Sequence, residues 1–298
     1  MATYNGERFL AEQLDSFEAQ THQNWRLVVS DDGSTDGTMA ILEAYQARWG
    51  EARMQIRTGP RLNFRKNFLS MMCDQGIVSD FYAYSDQDDV WLPEKLAVAV
   101  AHLLGQDESL PHVYGGRTIY VDVNLNEIGR SSEFCYPRSF RNALVQSIAG
   151  GNTMVFNHAA KILLERAGVQ QIISHDWWTY QLVEGAGGRV YFDLDPYILY
   201  RQYPGALVGA NTSLRATWVR FIMLLQGKFK EWNTINADSL LKVRHLLLPH
   251  HVDIITEFLR LREGNIIQRV RMIGVCGLFR QGWHGNISLM VAVILKKI

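Results

Sequence analysis

YSDQDDVWLPEK, Tyr84 to Lys95, places three carboxylates, Asp86, Asp88 and Asp89, within four positions directly after the apolar, aromatic run FYAYS. Like charges this close raise one another's free energy, and burial raises it further. Such a cluster persists where water solvates every member or where a cation neutralises them. The run before it has strand character, and Pro93 stands where the first turn of a following helix, EKLAVAVAHLL, should begin. The acids therefore fall where a strand hands over to a helix.

The same arrangement recurs upstream. RLVVSDD, Arg26 to Asp32, is a β-branched run ending in acids. GSTDGTMAILEAYQARWG then offers Ser34, Thr35 or Asp36 as a helix cap, a helix, and Gly50 as its stop. FLAEQLDSF and NFRKNFLSMM have helical spacing; MQIRTG, HVYGGRTIYVD, NTMVFN and RVYFDLDPYILYRQY read as strands. This alternation predicts an α/β fold with a mostly parallel central sheet flanked by helices. Ligands of open α/β sheets bind at the carboxyl ends of the strands, and both acidic junctions lie on that rim.

With 298 residues, 47% hydrophobic and 20% charged, the chain can bury a sizeable core as one large domain or two smaller ones. The net charge of zero conceals an asymmetry: residues 213–298 hold 13 Lys and Arg against 5 Asp and Glu, residues 1–212 hold 17 against 25. Two regions are expected, an acidic α/β one over 1–212 and a basic, helical extension over 213–298. That extension reads as a helical cap or as a peripheral membrane contact, since basic amphipathic helices are drawn to anionic lipid. Interleaved aliphatic runs and the lack of a recognition motif argue against nucleic acid. No apolar run approaches the roughly 20 residues of a spanning helix, and no leader is visible at the N-terminus. Cys73, Cys135 and Cys276 form no paired spacing and are expected as inert core thiols of a cytoplasmic protein.

ATYNGERFL, SDDGSTDGT and YSDQDDVWLPEKL, in this order, resemble the family 2 glycosyltransferases of the GT-A fold. GNTMVFN and HDWWTYQLVEGAGGRVYFDLDPYILYRQY narrow the resemblance to the bacterial rhamnosyltransferase-like branch that builds cell-surface polysaccharides. The resemblance covers about residues 1–212. It implies an inverting transferase with a dTDP- or UDP-sugar donor, dTDP-rhamnose foremost, and a lipid-linked glycan such as an O-antigen precursor as acceptor. The rival reading is a degenerate, non-catalytic sugar-nucleotide-binding protein.

Site roles follow from the same resemblance. Asp88 is the metal ligand for Mg²⁺ or Mn²⁺, hard cations that take carboxylate and phosphate oxygens together. Asp86 approaches the ribose or a metal-bound water, and Asp89 orients the loop. Asp32, with Asp31 beside it, receives the base N–H, while Ala2 and Tyr4 flank the nucleotide and Lys66 lies near it. Asp176 is the base that takes the acceptor hydroxyl's proton; His175, Trp177 and Trp178 surround the sugar. The alternative for this last group is a helix-capping Asp with two core tryptophans.

Two departures stand out. The family usually has His after YRQ where this chain has Tyr203, which leaves Arg201 to hold the phosphates alone. The family also usually has a hydrophobic strand before ATYN, of which almost nothing precedes Ala2, so the first strand is expected to be truncated and the true start to lie upstream.

Overall fold

The computed structural model describes residues 1–203, 219 and 222–298. The expected boundary at 212/213 and the stretch from Pro204 to Trp218 lie outside the described residues.

Three parallel strands open the chain, in the order β1 (Ala2–Thr3), β2 (Leu27–Asp31), β3 (Met54–Thr58). Helix α1 (Leu10–Glu18) connects the first two and buries Leu10, Leu14 and Phe17, one face of a helical period. Helix α2 (Thr38–Trp49) connects the next two. No side-chain cap forms at its N-cap, Gly37, but Asp36 Oδ1 accepts from the Thr38 amide at 3.0 Å. Helix α3 (Phe64–Met72) starts at Asn63, whose side chain accepts from the Lys66 amide at 3.1 Å.

A second sheet runs β10 (Arg189–Asp193), β6 (His112–Gly116), β9 (Val155–Asn157), β4 (Phe81–Ala83). Strands β10 and β6 are parallel, whereas β9 opposes both β6 and β4. The expected sheet is thus parallel in its first half and mixed in its second. A third sheet, β5 (Val90–Trp91), β11 (Ile198–Arg201), β7 (Ile119–Val121), β8 (Glu127–Arg130), covers the acidic loop. The amide of Ala2 donates to the Ser85 carbonyl at 3.3 Å, tying β1 to the end of β4.

The first strand is short, but it occupies a sheet position. The Met1 amino group donates to the Val28 carbonyl at 2.7 Å, and the Ser30 amide donates to the Met1 carbonyl at 2.9 Å. Burial pushes that amine down to about 5.

Helices α4 (Lys95–Leu104), α5 (Phe140–Ala143), α6 (His158–Ala167) and α7 (His175–Gly185) flank the second sheet. The C-terminal region supplies α8 (Lys228–Lys242), α9 (Pro249–Arg260), α10 (Ile266–Cys276) and α11 (Trp283–Ile294). These pack on the sheet-bearing half: Ile255, Phe258, Leu261 and Leu289 share one core with Phe140, Val183 and Val190. Cys276 is buried and Cys73 half-buried, as inert thiols would be, but Cys135 is exposed, which corrects that expectation.

Candidate active site

The loop Ser85–Asp89 leaves β4 and is held on all sides. Asp89 is fully buried, and its Oδ2 accepts from Asn152 Nδ2 at 2.6 Å. Burial, then the charges of Asp86 and Asp88, push its carboxyl well above the usual range. Its other oxygen has no hydrogen-bond partner. The buried Lys95, whose ammonium sits 3.4 Å from the Trp91 ring centroid, is pushed down to about 7 by burial, with the charge of Asp89 opposing. Asp89 is thus an internal strut of the loop.

Asp88 is half-buried. Its Oδ2 accepts from the Tyr203 hydroxyl at 2.6 Å, and its backbone carbonyl accepts from Arg201 Nε at 3.1 Å. Burial raises its carboxyl, and the Tyr203 hydrogen bond opposes the rise. Asp86 next to it is pushed up to about 7, first by burial, then by the charges of Asp88 and Asp176. Asp176 opens α7 and is half-buried; its Oδ1 accepts from the Trp177 amide at 2.7 Å. The structure therefore brings Asp176, far from the loop in sequence, close enough for its charge, with that of Asp88, to bear on Asp86.

Among the described residues no group of three or more His, Cys, Asp or Glu side chains forms a ready-made metal cage. A hard cation shared with phosphate oxygens and waters needs only one or two carboxylates. Asp88, with one oxygen held by Tyr203, and Asp86, destabilised by its neighbours, fit that use because added positive charge would relieve both.

On the other side of the rim, Asp32 Oδ1 accepts from the Arg61 amide at 2.6 Å. Tyr4 is 57% exposed, so its ring is free to meet a base. Its peptide is gripped by Gln87: Oε1 accepts the Tyr4 amide at 2.8 Å, and Nε2 donates to the Tyr4 carbonyl at 3.0 Å. Gly6 makes room for this grip, since a Cβ there would lie 2.5 Å from Gln87 Oε1. Ala2 lends only its backbone. Lys66 is exposed on the first turn of α3, whose Asn67 Nδ2 donates to the Ser30 carbonyl at 2.8 Å.

Several expected contacts are reassigned. Asp31 accepts from Thr3 Oγ1, the Gly33 and Ser34 amides and Ser34 Oγ, so it builds its own turn. Arg201 is 1% exposed. Its guanidinium donates to Glu12 Oε2 at 2.7 Å, the Val123 carbonyl at 2.8 Å and the Asp88 carbonyl, and lies 4.3 Å from the Phe9 ring centroid. It braces the loop from behind instead of facing phosphate. Trp177 and Trp178 are core residues: Trp177 Nε1 donates to the Ala143 carbonyl at 2.7 Å, and Trp178 is wholly buried. His175 is buried too, stacked on Phe68 at 3.8 Å and edge-on to Tyr84. Burial pushes its ring down to about 4, and neither ring nitrogen has a hydrogen-bond partner. A Cβ on Gly151 would stand 2.2 Å from its Nε2, which accounts for glycine in GNTMVFN. The Tyr84 hydroxyl and Thr179 Oγ1 are hydrogen-bonded at 2.9 Å, and Thr179 Oγ1 donates to the His175 carbonyl, fixing the start of α7 against β4.

Sequence reasoning passed over Gln87, Gly6, Asn152, Lys95 and Glu12. The first four lie inside quoted motifs, and only their contacts were hidden. Glu12 carries no signal beyond one polar position on an amphipathic helix.

The model of glycosyl transferase family 2 matches residues 1–171, more than half of the chain, and the protein belongs to that family. The chain is 28% identical over 257 residues to the dTDP-rhamnosyl transferase RfbG of Shigella flexneri, covering 80% of this chain and 84% of that one. It is 29% identical over 133 residues to the Escherichia coli glucosyltransferase WfgD, covering 43% and 47%. Its fold is GT-A. It superposes on Staphylococcus aureus TarS 1–349 with a TM-score of 0.57 at 18% identity, covering 92% of this chain and 70% of that one. The mannosyltransferase PcManGT of Pyrobaculum calidifontis, solved with GDP-mannose and Mn²⁺, gives 0.53 at 14% identity, covering 99% and 85%. The chain spans 38% of the longer TarS structure. It is a glycosyltransferase.

Proposed function

We propose that the protein transfers L-rhamnose from dTDP-rhamnose, with inversion, to a lipid-linked polysaccharide acceptor on the cytoplasmic side of a membrane, over a catalytic unit of residues 1–212. The observation that carries the reaction is the convergence of Asp86, Asp88 and Asp176 on one rim, where the carboxyl of Asp86 is lifted to about 7 by burial and then by the charges of Asp88 and Asp176. The similarity to RfbG supports the choice of sugar and nucleotide.

In this reading Tyr4 and Asp32 receive the base, and Asp86 and Asp88 would hold Mg²⁺ or Mn²⁺. When bound, such an ion neutralises the diphosphate of the donor and of the leaving group. Asp176 takes the proton from the acceptor hydroxyl. The freed oxygen attacks the anomeric carbon opposite the diphosphate, the carbon–oxygen bond to phosphate breaks, and its electron pair leaves with the dTDP. A single displacement needs no carboxylate nucleophile. Arg201, Tyr203, Gln87 and Asn152 hold these groups in place and meet no substrate.

A thermal-shift screen of dTDP-, UDP- and GDP-sugars with and without Mn²⁺ tests the reading, since only ligands of the folded state raise the melting temperature. The largest shift is expected for dTDP-rhamnose with Mn²⁺. No shift with any nucleotide sugar would end the proposal.

A further inference from the structure

Helix α9 buries Ile254, Ile255 and Phe258 and shows Asp253 and Arg260 to solvent, as a helix of a globular core should. Helices α10 and α11 do otherwise. On α10, Ile266, Ile267, Val270 and Gly274 are exposed at spacings that gather them on one face, with Arg271 alongside. Ile267 is 80% exposed. On α11, Trp283, Ile287 and Ile294 fall on one line along the helix, and all three are exposed, as is Leu295 just beyond. Single exposed apolar residues are ordinary; a stripe on each of two successive helices is not.

The charge along the chain from residue 264 has one sign. Residues 264–298 contain Arg269, Arg271, Arg280, Lys296 and Lys297 and no Asp or Glu. Arg269 is buried and joins the two helices, donating to the Gly264 carbonyl at 2.8 Å and the Ile294 carbonyl at 2.9 Å. Arg271 and Lys296 remain exposed beside the stripes. Among the described residues no helix is long and apolar enough to cross a membrane.

We propose that α10 and α11 dock on an anionic lipid surface, with Ile267, Val270, Trp283 and Ile287 at the acyl boundary and Arg271 and Lys296 among the headgroups. A second copy of the chain is a poorer occupant, because a two-fold contact would set these cations against their own copies with no acid on either helix. The purpose of this docking rests on the proposed lipid-linked acceptor, but its geometry does not, and the nucleotide screen succeeds or fails independently of vesicle binding.

Flotation with vesicles decides the matter. The full chain is expected to float with phosphatidylcholine vesicles containing about 30% phosphatidylglycerol, not with phosphatidylcholine alone. About 0.5 M salt should release it. The double variant Ile267→Asp/Trp283→Asp is expected to lose vesicle affinity at least about tenfold while melting and binding nucleotide as the parent does, because both side chains are exposed. The pair Arg271→Gln/Lys296→Gln should weaken the preference for anionic vesicles. Equal flotation with both vesicle types, no flotation, or unchanged flotation of the double variant would overturn the proposal. So would a dimer of the parent chain that Ile267→Asp dissolves.

Discussion

Gln87 holds both backbone polar groups of Tyr4, across 83 residues of sequence. It sits between Asp86 and Asp88, so the segment proposed to meet the base and the loop proposed to meet the diphosphate are one mechanical piece. Gln87→Ala removes two neutral hydrogen bonds, about 1–3 kcal/mol together. Donor KM is expected to rise about five- to hundredfold, with a smaller change in kcat. Gly6→Ala strains the same contact from the other side. The double variant should therefore be less impaired than the two single effects combined, and simple additivity in KM would show that no such coupling exists.

Asp176→Asn keeps the shape of the side chain and removes its basicity. Turnover should fall about a hundred- to ten-thousandfold while nucleotide binding persists. Calorimetry of donor binding alongside the rate assay separates the two, and normal turnover would exclude Asp176 as the base.

Tyr203 stands where the family usually has His, and its hydroxyl is bound to Asp88. A hydrogen bond to a charged group contributes about 1.5–3 kcal/mol. Tyr203→Phe is expected to raise the Mn²⁺ concentration for half-maximal activity by about tenfold. An unchanged Mn²⁺ titration would mean that the hydroxyl does not tune the carboxylate.

Arg201→Lys preserves charge and loses the fork that reaches Glu12, Val123 and Asp88. The free protein should be destabilised by about 2–4 kcal/mol in urea unfolding. A phosphate-holding arginine would behave differently, leaving the free protein's stability unchanged and raising only donor KM.

His175 gives a pH signature. The unfolded chain takes up this proton near the ordinary 6.5, the folded one only near 4. Between those values the unfolded state binds more protons, so stability is lost as pH falls through that window. His175→Phe keeps a ring to stack on Phe68 and has nothing to titrate. The gap in stability between parent and variant should thus change by up to about 3 kcal/mol between pH 7 and pH 4, against the parent. Parallel stability curves would show that the histidine is not buried neutral.

The alternation of strands and helices was legible because each helix buries a periodic stripe, as α1 does with Leu10, Leu14 and Phe17. The direction of β9 was not, since an apolar run of three residues reads the same whichever way its neighbours point. Within the site, the acidic residues announced themselves by their like charge. What each does with its oxygens did not follow from spacing: Asp31 spends them on its own turn, Asp89 spends one on Asn152, and Asp86, Asp88 and Asp176 keep the rim acidic. Trp177 and Trp178 were ambiguous for a related reason, because an aromatic beside a catalytic acid suits a sugar face and a helix core equally well. Burial decides between these, and burial is a property of the whole chain.

Arg201 joins Glu12, 189 residues before it, to the carbonyl of Asp88, 113 residues before it. A chain emerging from the ribosome therefore carries Asp86 and Asp88 long before the brace behind them exists. Contacts this distant in sequence close late in folding. The nascent protein can fold its first sheet, with Tyr4 in place, and still lack a rigid pocket, so capture of activated sugar waits until β11 has been made and docked.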